Sequence, residues 1–365
     1  MSRQQNRRGS TLLLTVIVLA LIAVAVAITY ARLSSERAIT GDAKAQQGAF
    51  AVAQSGLSRF MSSLNGKPVL LPGAVQTVNY TDLPGGTARV DMVLLRDSTS
   101  TLLPAVYAIT SRGRYTAARR YNSLAPSSER TVAAYAHWVP APFDLNGAFT
   151  SLTQVEINGG SANINGTDRC GGAMPTIPGL AVPNGDISQL SDPGVINGNP
   201  DNAAANLGTP GPGGTAKDEV KIDWAAIKAG TAFPANYIYP TSGWPSAANF
   251  NDWPVTRVEG DLIMPGSGKG ILVVTGNLTW NGTPLKTWEG LILVGGTITA
   301  NGNGNIFGAL VTGLDVKTGA TVGLSDVGNG TKTYQYDSCA LTRALGRIGS
   351  MQRIRNGWTD TWSSY

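Results

Sequence analysis

The sequence predicts an α+β chain, mainly β: one long N-terminal helix, a small antiparallel sheet, and a C-terminal β-solenoid (β-helix-like) domain. Three observations predict it. Thr11 to Ile28 is an apolar run with no charge until Arg32, and at about 1.5 Å rise per residue it reaches the lower range of a spanning helix. Between residues 67 and 139, four segments rich in Val, Tyr, Thr and Ile are bounded by turn residues such as Pro84-Gly85-Gly86. Beyond Val258, a unit of apolar strand, Gly corner and alternating strand recurs at an offset of twenty residues.

The helix comes first. Arg3, Arg7 and Arg8 precede the apolar run and place the N-terminus inside by the positive-inside rule. A secretory signal has a shorter apolar core and a small-residue cleavage site beyond it. Here the small pair Gly9/Ser10 lies before the core, so cleavage there would remove residues 1–9 and keep 10–31 as a membrane helix. A plain single-pass anchor is the alternative. Residues 32–66 continue as an amphipathic helix, with Phe50, Ala53, Leu57, Phe60, Met61 and Leu64 on one face at spacings of three and four.

The order Arg7-Arg8-Gly9-Ser10 and then a long apolar run resembles a type IV prepilin signal. The stretch Ala49-Phe50-Ala51-Val52-Ala53-Gln54-Ser55-Gly56-Leu57 is similar to the Ala-Phe-x-Ala-Ala-Glu-x-Gly-Leu segment of PilX-type minor pilins. The resemblance implies cleavage at Gly9/Ser10 by a prepilin peptidase. It implies a single-pass protein of the inner (cytoplasmic) membrane before assembly, then a place on the pilus or cell surface with the head outside. Its partners would be other pilins, met through the N-terminal helix. Two positions depart from the major-pilin pattern: Ser10 stands where phenylalanine is usual, and Leu14 where a glutamate is. A buried carboxylate is costly without a partner, so its absence implies a minor, tip-compatible subunit of a pilus; a type II secretion pseudopilin is the alternative.

Composition agrees with an extracytoplasmic, β-rich head. Charged residues are 14% of the chain, while Gly (45) and Pro (20) are plentiful, favouring turns and short strands. The net charge of +5 includes Arg3, Arg7 and Arg8, so the chain from Ser10 is at +2, too little for a global attraction to nucleic acid. Cys170 and Cys339 are expected to pair in an oxidising compartment, adding roughly 4–5 kcal/mol on a chain-entropy estimate; two separate buried thiols are the alternative. His137 is the single histidine and no Cys-x-x-Cys occurs, which argues against a metal site and against a Ser-His-acid triad. Without a phosphate-cradling loop either, neither an enzyme nor a cofactor is expected.

The expected strands of the antiparallel sheet (67–139) are Gln76–Tyr80, Thr87–Arg96, Ala105–Arg114 and Glu129–Trp138. Arg89 and Asp91 alternate with Val90 and Met92, as in a half-buried strand. Arg112, Arg114, Arg119, Arg120 and Arg130 form a basic stretch, read as solvated strand faces, with a DNA- or lipid-facing patch as the alternative.

Residues 140–339 are assigned to the solenoid, with a β-sandwich as the alternative. Ile271 to Gly282 aligns with Leu291 to Gly302, and Gly308 to Gly319 repeats the unit with a shorter spacer. Leu272, Val274, Leu278, Leu291, Leu293, Ile298 and Leu310 are expected in one shared column. Leu145-Asn146-Gly147 and Val155 to Gly160 start the same stack. In the Gly/Pro-rich stretch 174–253, Asp223 is expected to cap a short helix from Trp224 to Ile227. Trp224, Tyr237, Tyr239, Trp244 and Trp253 would pin loops, or offer a stacking surface to a glycan or base. The polar run Asn199-Pro200-Asp201-Asn202 is a calcium candidate without the twelve-residue loop.

Residues 340–365 are read as a basic and aromatic cap for the solenoid's open end. Leu341, Leu345 and Ile348 have helical spacing, with Arg343, Arg347, Arg353, Arg355, Trp358, Trp362 and Tyr365 around them. The same arginines would suit nucleic acid. Resemblance to competence-associated minor pilins with solenoid heads implies extracellular DNA as a ligand for them. A surface or glycan adhesin, and a membrane-anchored structural protein without ligand, are the other readings.

Overall fold

The computed structural model describes residues 7–64, 68, 70–97, 104–116, 127–141, 143–157, 162–171, 174–185, 195–201 and 203–360. Arg3, Arg119, Arg120, Asn202, Trp362, Tyr365 and the stretch 158–160, all named above, lie outside them. The chain is α+β and mainly β.

A single helix, α1 (Arg7–Ser62, 56 residues), opens the chain. It contains no proline, and Gly41 does not interrupt it; an isolated glycine costs only about 1 kcal/mol. Five of its hydroxyl side chains are satisfied locally: Thr15, Thr29, Ser34, Ser35 and Thr40 each donate to a carbonyl three or four residues back. The C-terminal half buries one face through Ala45, Ala49, Val52, Ala53, Leu57 and Phe60. Burial of Leu57 and Phe60 contributes about 1.5–3 kcal/mol each.

That face packs on an antiparallel sheet of β1 (Val75–Leu83), β2 (Gly86–Arg96), β3 (Val106–Thr116) and β4 (Ser127–Pro140), in the order of the chain. Each lies within a few residues of its sequence-derived counterpart. Val90, Met92, Tyr107, Ile109, Val132 and Ala136 are buried in a core shared with Leu57 and Phe60. On the solvent face of β2, Arg89 Nε lies 3.1 Å from Asp91.

The fifth strand comes from the far end of the chain. Gly349–Asp360 pairs antiparallel with β4, with Ser350 opposite Val139, Met351 opposite Trp138 and Gln352 opposite His137. The sequence reading of 340–365 as one cap therefore meets a divided arrangement. The short helix Ser338–Leu345 packs on strands of the parallel sheet described below, while Gly349–Asp360 returns to the sheet under α1. Local apolar spacing reveals the helix but carries no information on a strand partner about two hundred residues away. Trp138 Nε1, for instance, donates to the Gly346 carbonyl at 2.8 Å across 208 residues of sequence.

Between β4 and that last strand lies a large insertion. Its sheet has 14 strands, and every pairing within it is parallel. Gly268–Val274, Leu278–Val294 and Ile298–Thr312 form its centre, with Ile271 opposite Leu291, Leu278 opposite Ile298 and Leu291 opposite Ala309. Segments from the start of the insertion join those from its end. Val155–Glu156 pairs with Ser325–Asn329, and Ala162–Asn165 with Lys332–Gln335.

Apolar residues on both faces of these strands build two cores. Leu272, Val274, Leu278, Ile298 and Leu310 share one cluster. Leu291 and Leu293, expected in that same column, belong instead to the second, with Ile271, Val273, Trp224 and Leu341. The register explains the correction. Leu291 stands opposite Ile271 rather than Leu272, and neighbouring residues of a strand point to opposite faces.

Gly270, Gly290 and Gly308 stand in register on adjacent strands, all with positive φ (104, 124 and 134). A Cβ on Gly308 would meet the Gly290 carbonyl oxygen at 2.0 Å, and one on Gly290 would come within 3.1 Å of Ala344 Cβ. Side-chain-free backbone in this column gives the helix Ser338–Leu345 its seat.

Lys286 and Lys332 are buried side by side with Gly304, which stands opposite both. Each ammonium donates to a carbonyl of an earlier strand or corner: Lys286 Nζ to Met264 at 2.6 Å and Lys332 Nζ to Gly302 at 2.7 Å. Burial pulls the Lys332 amine down to about 8 against a smaller opposing pull from Asp326.

Two predictions come from this packing. Gly113 lets β3 touch α1, since a Cβ there would lie 2.3 Å from Ala53 N and 2.5 Å from the Ala49 carbonyl oxygen. Gly113→Ala is expected to destabilise the sheet–helix unit by about 1–3 kcal/mol, read as a lower denaturation midpoint. Lys332 has a folded pKa below its unfolded one, so its cost to folding is greatest at low pH. The unfolded chain holds the extra proton as pH rises above about 8, and stability then rises by roughly 1.5 kcal/mol up to about pH 9.5. Equilibrium unfolding should show that rise in the parent protein and lose it in Lys332→Met.

Candidate functional site

Among the described residues, the N-terminal half of α1 presents a long, unburied apolar surface. Leu12, Leu13, Leu14, Leu19, Leu21 and Val26 are each more than 60% exposed, and large apolar side chains stay bare as far as Ile39. Contiguous apolar exposure of this size marks an interaction or membrane surface. The helix is long and apolar enough to cross a membrane. Gly9 and Ser10 lie in its first turns, and Arg32, Glu36 and Arg37 follow the apolar stretch. Thus one helix carries two environments in sequence: a bare apolar segment, then a face buried against β-strands.

A second built feature joins the start of the insertion to its end. Cys170 and Cys339 form a disulfide with a Cα–Cα distance of 5.5 Å, across 169 residues. Next to it, Asp168 accepts hydrogen bonds from Ser338 N (2.9 Å), Ser338 Oγ (2.6 Å) and Cys170 N (3.1 Å). Burial pushes the Asp168 carboxyl up, but these bonds outweigh it and hold the group below its usual range. Asp337 caps the helix Ser338–Leu345 by accepting from Ala340 N at 2.8 Å. Arg169 lies 3.6 Å from Asp337 and 3.8 Å from the centre of the Phe307 ring. Cys170, Asp337 and Cys339 are metal-ligand types that converge here, with both sulfurs engaged in the disulfide. Cys170→Ser/Cys339→Ser is expected to lower stability by about 2–4 kcal/mol, checked by equilibrium unfolding with and without reductant.

The four tail arginines do not form one patch. Arg343 lies 5.6 Å from the centre of the Trp253 ring, with Lys269 Nζ at 5.7 Å from the same ring. Arg347 follows the helix Ser338–Leu345 and lines a cavity between the antiparallel sheet and the insertion. Arg353 donates to Ser58 Oγ of α1 at 3.2 Å, and Arg355 is exposed farther along the same strand. In the basic stretch of the sheet, Arg112 and Arg130 are paired with Glu129 (3.3 Å) and Asp360 (2.6 Å).

Aromatic side chains of the Gly/Pro-rich stretch hold loops in place. Trp224 is fully buried, and its Nε1 donates to Asp315 Oδ1 at 2.8 Å. Its helix, Trp224–Lys228, is capped by Asp223, as its sequence indicates. Tyr239, Trp244, Phe250 and Trp288 form a chain of ring contacts with centroids 5.8–6.3 Å apart. Trp253 ends the short turn Asn249–Asp252 in a left-handed conformation with φ 53.

The inter-lobe cavity, of about 840 Å³, was not foreseen from sequence. Its lining is drawn from segments scattered from Leu64 to Gln352, so no local motif announces it. No protein-family model, no characterised protein and no solved structure matches this chain. Geometry and sequence pattern alone therefore carry the functional argument.

Proposed function

We propose that the chain is a pilin-like subunit, of the PilX minor type, anchored by α1 and presenting the insertion as a β-solenoid head outside the cytoplasm. The single observation that carries this reading is the division of labour along α1. Its first half is bare and apolar from Leu12 to Ile28, and its second half is the packed spine of an antiparallel sheet. A plain membrane anchor needs the first property only. A filament subunit needs both, because the same helix must leave the membrane, pack against neighbouring helices and carry a folded head rigidly.

Two further features support it. The basic leader ends at Gly9/Ser10, ahead of the apolar segment, so processing would spare the helix. The twenty-residue registers Ile271–Leu291 and Leu278–Ile298, with both strand faces packed into cores, support reading the insertion as stacked solenoid turns. What these observations support is assembly into a filament, not capture of a ligand.

Mass spectrometry of the mature N-terminus in membrane and sheared-surface fractions tests the proposal. The expected protein begins at Ser10 and occurs among sheared filaments, while Gly9→Val retains residues 1–9 and stays in the membrane. A parent protein that keeps its leader and never leaves the membrane fraction would reduce the reading to an anchored head.

A further inference from the structure

We infer that the cavity between the antiparallel sheet and the insertion is a binding site for a small organic carboxylate with an apolar body. At about 840 Å³ it falls in the size range of small-molecule sites, which favour the interface between two structural units. Its apolar wall is contributed from both sides: Leu64 and Leu70 from the sheet side, Phe233 and Val255 from the insertion. The junction itself forms part of the lining. Ala141 N donates to the Ile348 carbonyl at 3.0 Å, so the two chain crossings are fastened where they border the space.

Charge selects the ligand. Among the described residues Arg347 is the one ionisable residue of the lining, and no acid accompanies it there. Among the described residues its guanidinium makes no ion pair and no side-chain hydrogen bond, unlike Arg112, Arg130, Arg169 and Arg257, each of which faces a carboxylate. A planar guanidinium with no counter-ion among the described residues, at the edge of a space with both apolar and polar walls, matches the fork geometry of a carboxylate. Gln76, Ser350 and Gln352 supply neutral hydrogen-bonding groups around it. A neutral apolar molecule would leave the cation unanswered, and a polyanion would find one positive charge among the described residues.

The proposal is independent of filament assembly, and its test does not use assembly as a readout. Full-length protein in lipid nanodiscs is titrated with para-fluorobenzoate and, separately, with the neutral para-fluorobenzamide, following the fluorine NMR linewidth. Saturable broadening is expected for the carboxylate and not for the amide. Arg347→Gln is expected to weaken carboxylate binding by about tenfold or more with an unchanged circular dichroism spectrum. Equal response to acid and amide in the parent protein would overturn the assignment without recourse to any variant. So would carboxylate binding that is absent, or that is unaffected by Arg347→Gln.

Discussion

The pairing of β4 with Gly349–Asp360 is the constraint on which the rest of the molecule depends. It adds the fifth strand to the sheet under α1, and Met351 enters that core. It also brings the two ends of the insertion together, since Pro140 stands opposite Gly349. A domain held by two adjacent crossings is restrained far more than one on a single tether, because bending would have to break ladder hydrogen bonds at both. The same pairing forms part of the wall of the inter-lobe cavity, whose lining includes Val139, Pro140, Gly349 and Ser350. Helix α1, the insertion and the cavity thus share one antiparallel ladder.

Inside the insertion, the dominant constraint is the two-residue period of its strands. Central strands covered on both faces must be apolar at nearly every position, and Ile271-Leu272-Val273-Val274 and Leu291-Ile292-Leu293-Val294 meet that need. Cations enter this interior only where carbonyls can receive them, as with Lys286 and Lys332. A methionine would fill the same space without desolvating a charge. The bonds to Met264 and Gly302 satisfy carbonyls at the corners, where ladder pairing is interrupted. On the second face, the glycine column, the helix Ser338–Leu345 and the Cys170–Cys339 bond form one closure. The bond ties the first residues after Ala162–Asn165 to the helix that covers the central strands.

How legible this was depends on the range of the interaction involved. The helix, the four strands before residue 140 and the twenty-residue repeat are written in local periodicity, and each is read within a few residues. Asp223 as a cap and the pairing of Cys170 with Cys339 were likewise accessible, one from capping chemistry and one from cysteine count. The division into two cores was not, because it turns on whether Leu291 faces Ile271 or Leu272. A shift of one residue reverses every side chain while leaving the repeat alignment nearly as good. The return of Gly349–Asp360 was hidden for another reason. Its apolar alternation is broken at Asn356, which has φ 59, and its partner is remote in sequence. Arg347 looked like one member of a basic tail, yet Arg343, Arg347 and Arg353 have separate neighbours: an indole, a cavity and the helix α1.

The exposed half of α1 imposes the final physical requirement. From Leu12 to Thr29 there is no ionisable side chain, and the hydroxyls of Thr15 and Thr29 are already bonded to their own backbone. A segment so constituted presents neither charge nor free donors to a partner. Its cover needs only to be apolar and long enough, a condition met by lipid and equally by other helices of the same kind. Transfer from one to the other therefore costs little in desolvation, which is the property a subunit needs if it is to leave a bilayer for a filament. The place of Leu14 fits that economy: a carboxylate there would have to find a partner charge in either environment, whereas leucine is equally at ease in both.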